Sequence, residues 1–198
     1  MNVFERLVDL ILPPRENERA LRSTTVLDAT APVAIFLPSL TVTALLPYRG
    51  LTKAAILESK YHDNKHAQAL LGEVLADYLK QQVSQPCILV PLPLSGKRYA
   101  KRGYNQVERV CDYAIQRLKG VGVMRDALRR VRDTTPQTTL TGTERRTNMK
   151  DAFRASALDS SYTYILVDDV ITTGATLEAA CVAMKEAGGT VIALTLAR

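Results

Sequence analysis

The 198-residue sequence has no tryptophan, and its aromatic residues amount to only 6%. Its three cysteines, Cys87, Cys111 and Cys181, are isolated, so we expect buried reduced thiols rather than a disulfide framework or a C-x-x-C redox motif. No apolar run approaches the roughly 20 residues that a bilayer-spanning helix needs. The first residues also lack the basic segment and the cleavage site of a secretory signal. These absences lead us to expect a cytoplasmic protein with no membrane partner.

Apolar residues make up 46% of the chain and charged residues 23%, as in ordinary globular proteins. The length fits one domain with a small appendage. We place the division at residue 50, with an N-terminal appendage over residues 1–50 and the main domain over residues 51–198. Residues 3–11 have the amphipathic pattern of a short helix, which we expect to pack on the protein itself or on a second subunit, as in a homodimer.

The most informative stretch runs from Tyr164 to Thr176. Its apolar start predicts a buried strand of a parallel sheet over residues 164–167. Asp168 and Asp169 follow at the predicted carboxyl end of this strand, where open α/β sheets bind ligands. Small and hydroxylated residues then lead into a helix, and a further strand over residues 190–196 completes a βαβ unit. The leading residues are Thr172, Thr173, Gly174, Ala175 and Thr176.

Small residues before a helix leave backbone N–H groups open to a phosphate, and the helix dipole assists. Two carboxylates beside them would repel a bare phosphate, unless the ligand also offers hydroxyl donors or a bound cation. A sugar phosphate with a free diol meets both conditions, with its diol on Asp168 and Asp169 and its phosphate on the threonine-glycine turn. The alternative is a solvated loop in which Thr172 or Thr173 only caps the helix.

Positive charge is concentrated in two stretches of a chain whose net charge is +6. Residues 97–109, after a predicted strand over residues 87–90, hold five basic residues and one acidic residue. We expect there a basic turn suited to a diphosphate, or otherwise a solvated basic loop. Residues 125–154 hold eight basic and four acidic residues. They include a long polar segment that is either disordered or a lid over a phosphorylated ligand. This uneven charge indicates anionic ligands at defined places.

The two histidines, His62 and His66, lie four residues apart where two predicted helices meet, over residues 52–61 and 64–83. That spacing can bind a metal ion, but no third ligand is apparent. The sequence therefore favours a polar junction between the helices at this point.

Residues 167–176, Val-Asp-Asp-Val-Ile-Thr-Thr-Gly-Ala-Thr, resemble the phosphoribosyl-diphosphate (PRPP) loop of type I phosphoribosyltransferases. The resemblance implies that Asp168 and Asp169 hold the ribose hydroxyls, with Mg²⁺ bound to them directly or indirectly. It also implies that Thr172, Thr173, Gly174, Ala175 and Thr176 hold the 5′-phosphate. The implied fold class is α/β, with a central, mostly parallel sheet flanked by helices and a small N-terminal hood.

Three further stretches resemble the ComF branch of this superfamily, the competence-associated predicted amidophosphoribosyltransferases. They are residues 90–106, residues 132–153 and residues 194–198. The resemblance places five residues on the diphosphate side of the site, namely Ser95, Arg98, Arg102, Asn105 and Gln106. It places five more in a mobile loop, namely Arg132, Thr134, Gln137, Arg146 and Asn148. Members of this branch usually begin with a four-cysteine zinc ribbon, whose cysteines are missing here, so we expect no structural zinc.

The function that the resemblance implies is PRPP- and Mg²⁺-dependent transfer of a phosphoribosyl group to a nucleophile, with release of diphosphate. The sequence identifies neither the nucleophile nor a catalytic base. One alternative is a non-catalytic factor that handles single-stranded DNA in natural transformation. A PRPP-sensing regulator without turnover is another alternative. Saturable binding of PRPP with Mg²⁺ separates the first function from polyanion binding, which depends steeply on salt.

Overall fold

The computed structural model describes residues 13–27, 31–82, 86–132 and 151–198. Its strands are β1 (Val33–Phe36), β2 (Thr41–Leu46), β3 (Cys87–Pro91), β4 (Val121–Val123), β5 (Leu128–Arg130), β6 (Phe153–Ala155), β7 (Thr163–Val170) and β8 (Thr190–Ala197). Its helices are α1 (Glu16–Leu21), α2 (Gly50–His62), α3 (Lys65–Gln82), α4 (Gly96–Arg102), α5 (Gln106–Ile115) and α6 (Ala175–Glu186).

Six strands form the main sheet in the order β1-β2-β8-β7-β3-β4. Neighbouring strands are parallel except for β1, which is antiparallel to β2. The predicted α/β fold with a mostly parallel sheet flanked by helices is therefore confirmed. Pro91 at the end of β3 pairs with Val167 of β7, and Asp168 pairs with Thr195 of β8. Because parallel strands end at the same edge, the residues that follow β3 and β7 meet at the carboxyl edge of the sheet.

The apolar run in β7 is buried because both faces of the sheet are covered. Ile165 and Val167 pack into a cluster with α2, α3 and α5. Tyr164 and Leu166 point to the opposite face, into a cluster with α6 and the small β5–β6 sheet. Successive side chains of a strand alternate between faces, so a strand buried on both sides reads as a continuous apolar run.

One local prediction was wrong. The basic stretch after β3 is helix α4 rather than a turn, because Ser95 caps its first turn and Gly103, at φ 81°, ends it in the left-handed region. Asp168 and Asp169 lie at the carboxyl end of β7, as the sequence predicts, and the strand continues to Val170. Farther along the chain, β4 belongs to the main sheet and β5 to the small sheet, although only a few residues separate them.

The N-terminal part contributes directly to the main sheet, because β1 and β2 extend it at one edge. The predicted division into residues 1–50 and 51–198, with a hood in the first part, stays a prediction. The predicted helix over residues 3–11 lies outside the described residues. Among the described residues, every helix is too short or too polar to span a bilayer. Cys87, Cys111 and Cys181 are buried with free thiols, as predicted.

Candidate ligand-binding cleft

A polar cleft of about 460 Å³ lies at the carboxyl edge of the main sheet. It is formed where the segment after β3, the ends of α2 and β7, helix α4 and the start of α5 come together. The lining residues are Tyr48, Lys60, Tyr61, Leu92, Pro93, Leu94, Arg98, Arg102, Gln106, Arg130, Asp168, Asp169, Val170, Thr172 and Thr176. The cleft thus brings together the carboxylates, part of the threonine turn and part of the basic stretch.

The two carboxylates differ in environment although they are adjacent in the chain. Asp169 is only 7% exposed, whereas Asp168 is half-buried and faces the cleft. The backbone N–H of Asp169 donates a 2.8 Å hydrogen bond to Oδ1 of Asp168. Burial and the negative charge of Asp169 raise the pKa of Asp168 to about 7, although Lys60 and Arg98 act in the opposite direction. Of the two carboxylates, Asp168 is therefore the one whose charge is less compensated by neighbouring groups.

Both carboxylate oxygens of Asp169 have partners in the protein. Lys60 places its Nζ 3.0 Å from Oδ1, and the side-chain amide of Gln106 donates to Oδ2. The ammonium and the carboxylate are both largely shielded from solvent, with side-chain exposures of 19% and 10%. Asp169 is held in place before any ligand arrives, with lone pairs left to accept further bonds.

The cationic wall of the cleft comes from α4, together with Arg130 from β5. Arg98 and Arg102 lie four residues apart, on the face of α4 that turns toward the cleft. The Arg102 guanidinium donates to Oε1 of Gln106, and it lies over the ring of Tyr61 at 5.4 Å from the centroid. Counting Lys60, four cationic side chains face two carboxylates, so the cleft favours an anionic ligand.

The threonine turn lies beside the carboxylates. Thr172 and Thr176 line the cleft, whereas Thr173 and Ala175 do not. Gly174 immediately precedes α6 and has φ 77°, a left-handed conformation that favours glycine. A Cβ atom there would come within 2.3 Å of Cδ1 of Leu37. The left-handed backbone therefore favours glycine at position 174, and the Leu37 side chain packs where a Cβ atom would lie.

Two of the residues predicted on the diphosphate side shape the cleft without lining it. Ser95 caps α4, since its Oγ accepts a 3.3 Å bond from the backbone N–H of Arg98. Asn105 caps α5 by accepting from the backbone N–H of Val107 at 3.0 Å, and its amide donates to the carbonyl of Leu92 at 3.0 Å. Both residues set the directions of the helices that carry the lining arginines and Gln106.

Only Arg132 of the predicted mobile-loop residues is described by the structure, and it is exposed and outside the cleft lining. The other four, Thr134, Gln137, Arg146 and Asn148, lie outside the described residues. The role that the sequence predicts for this loop stays a prediction.

Sequence analysis missed four residues of the cleft: Tyr48, Lys60, Tyr61 and Arg130. Lys60 and Tyr61 occupy the last turns of a helix distant in sequence from every motif, so no local signal marks them. Arg130 belongs to the basic stretch whose uneven charge was noted, but nothing distinguished it from its neighbours.

The described residues include no cluster of three or more histidine, cysteine, aspartate or glutamate side chains that could hold a metal ion. His66 instead directs its Nε2 at the carbonyl oxygens of Leu21 and Thr24, at 3.1 and 2.9 Å. These bonds connect His66 to the end of α1 and the residues after it, and the predicted polar junction at His62 and His66 stays a prediction.

The fold and the cleft define an α/β protein that presents paired carboxylates, a threonine turn and cationic side chains at the carboxyl edge of a parallel sheet. Residues 59–198 match the family model described as the phosphoribosyl transferase domain. The chain belongs to this family, and the resemblance noted in the sequence is confirmed.

Its relatives are those of the ComF branch. Competence protein F of Haemophilus influenzae is 35% identical over 99 residues, which cover 48% of this chain and 43% of that protein. DNA utilization protein YhgH of Salmonella typhimurium is 33% identical over 133 residues, covering 67% of this chain and 58% of that protein. The YhgH protein of Escherichia coli K12 is 32% identical over 111 residues, with coverages of 56% and 48%. The chain spans about half the length of these curated relatives.

Proposed function

We propose that the protein binds PRPP together with Mg²⁺ and transfers its phosphoribosyl group to a nucleophile, releasing diphosphate. The observation that carries this proposal is the convergence of Asp168 and Asp169, the threonine turn and the cationic face of α4 on one cleft. A solvated capping loop would not require such convergence. PRPP carries a diol, a monophosphate and a diphosphate, and the cleft has a complementary group for each.

Each part of the ligand corresponds to one part of the cleft. The diol would donate hydrogen bonds to Asp168 and Asp169, which as carboxylates are acceptors only. The monophosphate would lie on Thr172 and Thr176 at the start of α6, where the helix dipole favours negative charge. The diphosphate would face Arg98 and Arg102. Their charge would stabilise the leaving group as its bond to the anomeric carbon breaks and the bond to the nucleophile forms.

Asp168 is the residue that fits a divalent cation. It faces the cleft and retains a raised pKa, whereas the charge of Asp169 is already paired with Lys60. Mg²⁺ is commonly held by one or two carboxylates, with its other ligands supplied by substrate phosphates and water, so a single available carboxylate such as Asp168 suits it. The cation would neutralise diphosphate charge, and the residues of this chain would orient the ribose and the leaving group.

A second candidate function comes from the relatives, whose names refer to competence and to DNA utilization. The cationic side chains of α4 would then contact a nucleic-acid backbone. One observation argues against base stacking on Tyr104. Its hydroxyl is bonded to the carbonyl of Ser59 and to the backbone N–H of Asp63, both at 2.8 Å, so the ring is tied to α2.

Titration calorimetry with PRPP in the presence and absence of Mg²⁺ tests the proposal. We expect saturable binding that the Asp168→Asn/Asp169→Asn variant loses while its thermal unfolding remains cooperative, because charge-assisted bonds to the diol are removed. Unchanged PRPP affinity in that variant would contradict the assignment. Affinity for a short single-stranded oligonucleotide, measured over a range of salt, tests the second function, since each phosphate contact adds about 0.7 to the salt slope.

An acceptor screen then separates an enzyme from a PRPP-sensing regulator. Diphosphate release should rise when the correct nucleophile is added to the protein with PRPP and Mg²⁺. Tight PRPP binding without release for any nucleophile class would favour the regulator.

A further inference from the structure

We propose that Lys60 and Tyr61, at the end of α2, are positioning residues of the cleft that fix Asp169 and Arg102 relative to each other through a closed ring of contacts. The inference rests on the proposed function, because Asp169 belongs to the carboxylate side of the PRPP site and Arg102 to the diphosphate side. Neither Lys60 nor Tyr61 belongs to any of the sequence motifs described above.

The ring can be followed from residue to residue. Lys60 forms an ion pair with Asp169 at 3.0 Å. Asp169 accepts a hydrogen bond from the amide of Gln106, whose carbonyl oxygen accepts one from Arg102. Arg102 lies over the ring of Tyr61, and Tyr61 follows Lys60 in the chain, which closes the ring.

The end of α2, which carries Lys60 and Tyr61, is itself held in place by hydrogen bonds from other parts of the chain. The Tyr104 hydroxyl donates to the carbonyl of Ser59 and accepts from the backbone N–H of Asp63, both at 2.8 Å. Glu58, 1% exposed, accepts two bonds from the Arg15 guanidinium at 3.0 and 2.6 Å. The backbone that carries Lys60 and Tyr61 is therefore held by contacts both before and after these two residues.

A ring of this kind couples the two sides of the cleft. The direction of Arg102 depends on Gln106 and Tyr61, and the direction of Asp169 depends on Gln106 and Lys60. Loss of one link should therefore affect ligand groups on both sides, including the side that the changed residue does not contact. Residues in one hydrogen-bond network show this kind of non-additive behaviour.

Tyr61 is the best link to break, because its replacement changes no charge and because it contacts Arg102 but not Asp169. The variants are Tyr61→Leu, which removes the ring beneath the guanidinium, and Tyr61→Phe, which retains it. Tyr162→Leu is the matched control, since Tyr162 is also exposed and lies before the opposite, amino end of β7. The probes are ribose 5-phosphate for the carboxylate side and inorganic diphosphate with Mg²⁺ for the cationic side.

We expect Tyr61→Leu to weaken the binding of both probes, each by about two- to fivefold, the range of a cation–π contact at an exposed site. Tyr61→Phe and Tyr162→Leu should bind both probes as the wild type does. Gln106→Met, which breaks the ring at its centre without changing charge, should also weaken both. It provides the same test should Tyr61→Leu fail to fold.

Weaker diphosphate binding with unchanged ribose 5-phosphate binding, in Tyr61→Leu or in Gln106→Met, would overturn the ring while leaving the proposed function in place. The ring would also be overturned, with the proposed function left in place, if Tyr61→Phe binds the probes as weakly as Tyr61→Leu does. If the wild type binds neither probe, both the proposed function and this inference are contradicted.

Discussion

Replacing Lys60 by methionine should lower the free energy of unfolding, because the largely buried Asp169 carboxylate loses its ion-pair partner. Breaking a buried ion pair from one side costs about 3–5 kcal/mol. Here Gln106 keeps one oxygen of Asp169 bonded and the pair retains some exposure, so we expect about 2–3 kcal/mol. For a protein of this size, that loss corresponds to roughly 4–12 °C in Tm.

The assay is urea unfolding at pH 7, with Lys53→Met as the control. Lys53 is exposed on the same helix, and its replacement should change stability by less than about 0.5 kcal/mol. The double variant Lys60→Met/Asp169→Asn should be more stable than Lys60→Met alone, because it leaves no uncompensated carboxylate. A free energy of unfolding for Lys60→Met equal to that of the Lys53→Met control would refute the stabilising role of the ion pair. A further decrease in the free energy of unfolding when Asp169→Asn is added to Lys60→Met would refute it as well.

Asp168 has a pKa raised from 3.8 to about 7, so the stability it contributes is present below about pH 4 and is lost as the pH rises to 7. Asp168→Asn should therefore match the wild type in urea unfolding at pH 4 and exceed it at pH 8, and an equal difference at both pH values would contradict this. Gly174→Ala should cost about 1–2 kcal/mol because of its left-handed backbone, whereas Gly122→Ala, in open space, should cost little by the same assay. Burial raises the pKa of Glu58, but bonds from Arg15 outweigh it and leave the pKa lowered. Glu58→Gln should thus lose about 1–3 kcal/mol at neutral pH and less as the pH falls below the ordinary value near 4.5, a trend that pH-dependent urea unfolding would reveal or exclude.

The βαβ unit from β7 to β8 was predictable because every local signal in it agrees. An apolar run, a threonine-glycine turn and a helical apolar spacing each indicate one element, and the sheet confirms the parallel pairing that connects them. The same agreement made the carboxyl end of β7 a good candidate site, since the position of a strand end in a parallel sheet follows from topology alone.

The basic stretch after β3 was misinterpreted because charge was weighed above capping. Ser95 and Gly103 are favourable capping residues at the two ends of a seven-residue segment. These caps stabilise α4 as a helix although none of its residues is buried. The consequence for the site is substantial. A helix places Arg98 and Arg102 on one face, whereas a turn would not fix their relative directions.

The contribution of α2 could not be predicted, because it depends on tertiary contacts between residues far apart in sequence. Lys60 meets Asp169 across 109 positions of the chain only after the helix has been laid along the carboxyl edge of the sheet. Its own segment shows nothing but helical spacing. Ser95 and Asn105 illustrate the converse, since motif resemblance placed them on the diphosphate side and the structure adds that both cap helices.

The most direct test of the central claim is a crystal structure of the protein with PRPP and Mg²⁺. We predict that the ribose lies against Asp168 and Asp169, that its 5-phosphate rests on Thr172 and Thr176, and that the diphosphate faces the arginines of α4. PRPP bound away from this cleft, or a cleft that stays empty at saturating PRPP and Mg²⁺, would contradict the account.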